Sequence, residues 1–194
     1  MRTAWGYDVN GTLAPILSVA DFAAMTGMQA SDRIESALNA ASQAIRNYCG
    51  WHITPSVKCT ANPSGGEVVV KLPAGYVSSI ESVTENGTAL AATDYQWRKD
   101  GLLKHVLPCR WCDAWDGIEV VYNAGYEADA VPDLVEAVCA IASGVLAVAP
   151  GVSSESADGV SISYSASAAS VAAALTSQQK NALEPYKLRS SHAA

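Results

Sequence analysis

Gly117-Ile-Glu-Val-Val-Tyr-Asn-Ala-Gly-Tyr126, then Glu127-Ala-Asp-Ala-Val-Pro-Asp133, then an apolar run to Ala149: this stretch decides the fold. Ile118, Val120, Tyr122 and Ala124 alternate with Glu119, Val121 and Asn123, the period of a half-buried strand. Gly125 marks its end. Pro132 suits the first turn of a helix, where its missing N–H has no intrahelical partner to lose. Asp133 and Glu136 add negative charge where the helix dipole favours it. Val131, Leu134, Val135, Val138, Ile141, Ala142, Val145 and Leu146 recur at helical spacing. The other side is small: Ala137, Ala140, Ser143, Gly144 and Ala147. The spacing predicts a helix over 132–149, stopped by Pro150-Gly151: a core helix of a soluble domain or, as the sharper alternative, one that also packs against neighbouring subunits. Its uncharged run, Ala137 to Ala149, falls short of the roughly 20 residues a membrane span needs.

Outward from there, the chain of 194 residues is nearly half hydrophobic, with a formal net charge of -7. A core is therefore available, and a sequence-nonspecific grip on DNA, which needs clustered Lys and Arg, is disfavoured. No secretory signal is expected at the start. Five cysteines, Cys49, Cys59, Cys109, Cys112 and Cys139, lack a secreted-domain spacing and read as reduced thiols.

Residues 1–17 read as an extended arm packed by Trp5 and Tyr7. Helices are expected at 18–26, capped by Ser18 with Asp21 and ended by Gly27, and at 31–49, capped by Ser31 and ended by Gly50. In the second, Ile34, Leu38, Ala41, Ile45 and Tyr48 form the apolar stripe, and Arg33, Glu35, Gln43 and Arg46 the wet side. Residues 57–126 carry strand signals. Val68, Val70 and Leu72 alternate; Ile80 to Glu85 turns back through Asn86-Gly87; Gln96 to Arg98 and Leu102 to Lys104 flank Asp100-Gly101. Frequent prolines and glycines predict a small, irregular antiparallel region inserted into a core of residues 18–150. Beyond Pro150 the Ser/Ala/Gly/Val-rich chain predicts an extended arm over 151–194, with Val160, Ile162 and Tyr164 alternating and a short helix from Ser177 to Leu183. The class is α+β.

Two motifs tempt toward chemistry. Asp8-Val9-Asn10-Gly11-Thr12 is like the first motif of haloacid-dehalogenase-type phosphatases, but Asn10 stands where an acid/base Asp is needed, so a turn is the better reading. Cys109-Arg110-Trp111-Cys112 is a lone CxxC; a zinc site would also need His105 with Cys59 or His52. A zinc-stabilised or phosphatase-like domain is thus the minor alternative. Neither catalytic residues, nor a metal, nor a cofactor are expected. Trp51, Trp97, Trp111 and Trp115 read as core and interface aromatics, and His52, His105 and His192 as structural.

In order along the chain, four stretches resemble the head–tail connector (adaptor) proteins of tailed bacteriophages and gene transfer agents, the gp6-like head-tail connectors. They are Leu17 to Phe22 with Asp32 to Trp51; Ile80 to Gly87 with Asp94-Tyr95; Val121 to Tyr126 with Val131 to Val138; and Glu155 to Tyr164 with Leu183 to Tyr186. The resemblance implies a helical-bundle core of the two N-terminal helices and the central helix. It implies a homo-oligomeric ring of twelve subunits in the virion neck, made in the host bacterial cytoplasm. That ring would dock beneath the portal protein, extend the DNA channel and join a stopper or tail-completion protein. Double-stranded DNA would pass its lumen without specific binding, and no membrane would be involved. By position, the arm would reach the portal through Leu183, Pro185, Tyr186, Lys187 and Arg189, while Val160, Ile162 and Tyr164 would add a strand to a neighbouring subunit. Asp32, Glu35, Glu81 and Glu85 are candidates for lining the lumen.

Overall fold

The computed structural model describes residues 1–147, 154–157, 160–163 and 175–188. Among these are four α-helices and ten strands, and the chain divides into two compact units. One comprises Met1–Leu13, Gly50–Glu127 and the chain from Tyr186; the other comprises Ala14–Cys49 and Ala128–Pro185.

The first unit is built on two antiparallel sheets. The five-stranded sheet has the order β1-β2-β8-β4-β5, from β1 (Asp8–Val9), β2 (Val57–Ala61), β8 (Ile118–Ala124), β4 (Val77–Glu85) and β5 (Thr88–Ala89). The strand expected from alternation, β8, is its centre. Ile118, Val120, Tyr122 and Ala124 are all fully buried, and β2 and β4 pair on either side. Burying a large apolar side chain contributes about 1.5–3 kcal/mol, so this one strand anchors much of the unit. β4 and β5 turn at Asn86-Gly87, both at positive φ (49° and 76°), as a tight hairpin turn requires. β4 slips register twice against β8, which breaks its alternation. The second sheet is β3-β7-β6, from β3 (Val69–Lys71), β7 (Leu102–His105) and β6 (Tyr95–Trp97).

This corrects the expectation of a small inserted region. The β structure forms two sheets with their own core, and it recruits the N-terminal segment as the edge strand β1, paired through Asp8 to Thr60 and Val9 to Cys59. The prolines and glycines that suggested irregularity lie largely between strands. Tyr7 and Val9 are buried there, whereas Asp8 faces solvent.

At one end of β8 sits a buried polar knot. The His52 imidazole lies 3.0 Å from the Ala124 carbonyl through Nε2 and 2.7 Å from the Tyr7 hydroxyl through Nδ1. A carbonyl can only accept, so Nε2 carries the proton, and Nδ1 accepts from Tyr7 Oη–H. The His52 backbone N–H donates back to Tyr7 Oη at 3.0 Å. Gly125 (φ 106°) lets the backbones meet: a Cβ there would lie 2.5 Å from the Pro55 oxygen and 2.8 Å from His52 Nε2.

The second unit is helical. α1 (Val19–Thr26) begins where Ser18 Oγ accepts from the Asp21 N–H and ends at Gly27 in the left-handed conformation. α2 (Asp32–Cys49) packs with α3 (Pro132–Ala147), and α3 with the short α4 (Ser177–Leu183). Leu134, Val138, Ile141 and Ala142 of α3 are buried, as the helical spacing predicts; residues 148 and 149, also expected in this helix, lie outside the described residues. On α2, Ile34, Leu38, Ala41 and Ile45 are buried, but so is Arg46, expected on the wet side. Its Nη2 donates to the Ala14 carbonyl at 2.7 Å, and the Ile16 N–H donates to Ser42 Oγ at 2.9 Å. These bonds hold residues 14–16 along α2, and that segment covers the guanidinium.

Three outcomes follow. Gly125→Ala, strained in backbone and blocked by the Pro55 oxygen, is expected to cost on the order of 3 kcal/mol. Thermal unfolding would read this as a Tm lower by roughly 6–12 °C. Gly87→Asn, at positive φ in open space, is expected to change stability by less than about 0.5 kcal/mol, because asparagine tolerates that conformation. Thiol labelling of the native chain is expected to reach the exposed Cys109 first and the buried Cys49 and Cys59 only on unfolding.

Candidate interaction surfaces

The C-terminal segment enters the first unit at an aromatic seat. Trp51, buried at the end of α2's exit, donates from Nε1 to the Tyr186 carbonyl at 2.6 Å. The Tyr186 ring stands edge-on to Tyr126, with centroids 5.9 Å apart at 86°. Tyr126 stacks on Tyr76 at 4.5 Å, and Lys99 Nζ lies 5.9 Å from the Tyr76 ring centroid. Gly75 makes room: a Cβ there would lie 2.8 Å from the Trp51 ring. Burial pushes the Tyr126 phenol above its ordinary range, with Tyr76 adding to the effect. Packed rings and a charge-neutral hydrogen bond make this a seat for an apolar, aromatic segment.

Among the residues expected to meet a portal, Leu183 ends α4 and is buried within the helical unit, where its carbonyl lies 3.8 Å from Cys49 Sγ. Pro185 and Lys187 are exposed, Tyr186 is half-buried on the seat, and Arg189 lies outside the described residues. Within the helical unit a full capping box at Thr176 starts α4, and Tyr48 Oη donates to Glu184 Oε2 at 3.3 Å. Val160 and Ile162 lie in β10 (Val160–Ser163), which pairs antiparallel with β9 (Ser154–Ala157). The alternation at 160–164 found the strand; its partner β9 was read only as low-complexity chain. Tyr164 lies outside the described residues.

The tempting motifs dissolve in their surroundings. Asp8 sits on the edge of an antiparallel sheet, not at the end of a buried parallel strand. Among the described residues no group of three or more His, Cys, Asp or Glu side chains is placed to hold a metal. Cys59 lies inside β2, where burial pushes its thiol up to about 12, and His52 is engaged with Tyr7 and Ala124. Cys112 offers its N–H to Glu85 Oε1 at 2.7 Å, and His105 stacks on Trp111 at 3.9 Å.

Two of the acids considered for a lumen are committed to partners. Glu85 takes the Cys112 N–H and lies 3.3 Å from His105. Glu81 bonds Lys58 and the Asn123 amide, which hold its carboxyl below the usual range. Asp32 and Glu35 are exposed at the start of α2. The tryptophans diverge: Trp51 and Trp111 are buried, Trp97 is half-buried, and Trp115 is 99% exposed. Asp113 and Asp116 flank Trp115, whereas Arg110 and Cys112 flank Trp111.

Comparison with known proteins gives this architecture a context. Over 94% of its length the chain superposes on 95% of a chain in a structure described as "Neck of native GTA particle computed with C12 symmetry", at 16% identity and a TM-score of 0.64. A second, "Neck of empty GTA particle computed with C6 symmetry", gives 0.62 at 16% identity, covering 94% and 95% of the two chains. A third, "Virion of native gene transfer agent (GTA) particle", gives 0.55 at 17% identity over 86% and 93%. At these identities the likeness establishes a shared fold. No curated protein sequence matches the chain. The family model "Head completion protein" matches residues 13–177, which span the central strand, all of α1 to α3 and the hairpin. The chain belongs to the head completion protein family, whose members are structural proteins and not enzymes.

Proposed function

We propose that this protein is a head–tail adaptor of the gp6-like kind: a ring of identical subunits, twelve by the symmetry of the related neck, seated beneath a portal in the neck of a phage-like particle. It is made in the bacterial cytoplasm and then built into the particle. The observation that carries this reading is the whole-length fold match to a neck subunit, joined to membership of a family named for completing heads. The ring would extend the DNA channel and hand it to a stopper or tail-completion protein. A net charge of -7 suits a conduit from which DNA must slide free.

In this reading the C-terminal region, 151–194, is the arm toward the portal. Leu183 and Tyr186 anchor it to the chain's own core, while Pro185, Lys187 and Arg189 meet the portal. Val160, Ile162 and Tyr164 serve a neighbouring subunit by strand addition. Each contact is small, and repetition around a ring adds strength through avidity.

Ending the chain after Pro150 is expected to leave filled heads that fail to acquire tails, as counted in electron micrographs of particles. Joining at the normal level would remove the arm assignment. Because truncation also deletes the α4 packing around Leu183, the exposed pair Pro185→Ser and Lys187→Glu gives the cleaner test. It is expected to keep the wild-type Tm and lower head–tail joining at least about tenfold, if those side chains lie at the centre of the contact.

A further inference from the structure

The loop after β7 holds a side chain that the fold does not need. Ala114 to Gly117 form a turn closed by the Gly117 N–H on the Ala114 carbonyl at 3.0 Å, with Asp116 at φ 53°. Both flanks are fastened. Trp111 is buried and exchanges backbone bonds with Gly66 and Glu67, and the Gly117 carbonyl accepts from the Asn86 N–H at 2.7 Å. A fixed backbone thus presents Trp115 to solvent, with exposed Asp113 and Asp116 beside it.

The same unit carries a groove of about 650 Å³ against the β3-β7-β6 sheet. The register sets Val69, Lys104 and Gln96 abreast across the three strands. Val69, Trp97 and Leu102 supply apolar surface, while Arg98 and Lys104 supply positive charge in a chain that is acidic as a whole. That volume is of the size that takes a large side chain with its neighbours.

We infer that Trp115, with Asp113 and Asp116, forms a knob that seats in the Val69–Trp97–Leu102 groove of a second copy of this chain, its two carboxylates meeting Arg98 and Lys104. The inference rests on the ring reading above and names the contact that would build it. Charge selects the occupant. Arg98, 3.1 Å from the Asp100 carboxylate, and Lys104, for which no ion pair is found among the described residues, leave the groove net basic; the knob is acidic around an indole, and the two are different patches, the head-to-tail arrangement that a ring requires. An exposed tryptophan on a fixed turn already has its backbone ordered, so docking costs little entropy, and such anchors dominate interface energies.

Sedimentation velocity of the full-length chain across concentration tests this. Trp115→Ala is expected to weaken self-association at least about tenfold with Tm unchanged. Lys104→Glu is expected to weaken it as well, and Lys104→Glu with Asp116→Lys in the same chain to recover most of the loss, because the double reversal restores opposite charges. Added salt should weaken the wild type more than it weakens Asp113→Asn/Asp116→Asn. If the wild type assembles and Trp115→Ala assembles equally well, the knob is wrong while the ring stands. If the wild-type chain is monomeric alone, its copy number in particle necks is the readout, and normal incorporation of Trp115→Ala overturns the inference. If the wild type forms no oligomer and is absent from necks, the ring reading itself has failed. Retention of a duplex oligonucleotide that Lys104→Glu abolishes, with self-association intact, would assign the groove to nucleic acid instead.

Discussion

The hydrogen bonds of His52 are the constraint on which the sheet unit depends. One imidazole joins three stretches distant in sequence: the N-terminal segment through Tyr7, the exit from α2 through its own backbone, and the end of β8 through the Ala124 carbonyl. Each bond contributes about 1 kcal/mol net, but leaving any of these buried groups unpaired would cost about 1–3 kcal/mol. Gly125 and Gly75 belong to the same device: one lets the Pro55 backbone and the imidazole come close to the end of β8, the other lets the Trp51 ring come close to the backbone at residue 75. Trp51, 5.5 Å from His52 between ring centroids, carries the order of this knot onward to Tyr126 and Tyr186.

This makes plain which parts of the fold were legible in the sequence. β8 and α3 were, because their apolar residues keep strict periods over seven and sixteen residues. So was the β4–β5 hairpin, because Asn-Gly states its turn in two letters. The size of the β structure was not, because β1 and β5 have two residues each and no period can be read from two. Arg46 could not be placed either. A basic residue on a helix reads as solvated unless its partner is known, and its partner is a carbonyl 32 positions away.

The interaction surfaces divide in the same way. The composition shift after Pro150 located the C-terminal segment, and Leu183 and Tyr186 stood out as its apolar tip. That Leu183 lies by Cys49 and Tyr186 by Trp51 depends on side chains more than 130 residues earlier in the chain. The tryptophans make the point most sharply. Trp111 and Trp115 are four residues apart in one loop, yet one stacks under His105 in the core and the other stands in water. Local sequence offers the same indole twice; the turn at Ala114–Gly117 decides which way each goes.

Assembled into the proposed ring, such subunits would face an electrostatic problem that their surface must solve. Every copy carries the same -7, so approach is opposed by net repulsion whatever the orientation. Apolar contact alone would hold copies together without choosing a register. Opposite charges concentrated at two patches act differently: they lower the barrier for one orientation, leave the others repelled, and fix which face meets which. Mobile ions screen charges beyond roughly 10 Å at moderate salt, so the attraction acts at the contact, while the remaining acidic surface stays available to keep a passing polyanion from sticking. Assembly and passage then use one charge distribution, divided by position on the subunit.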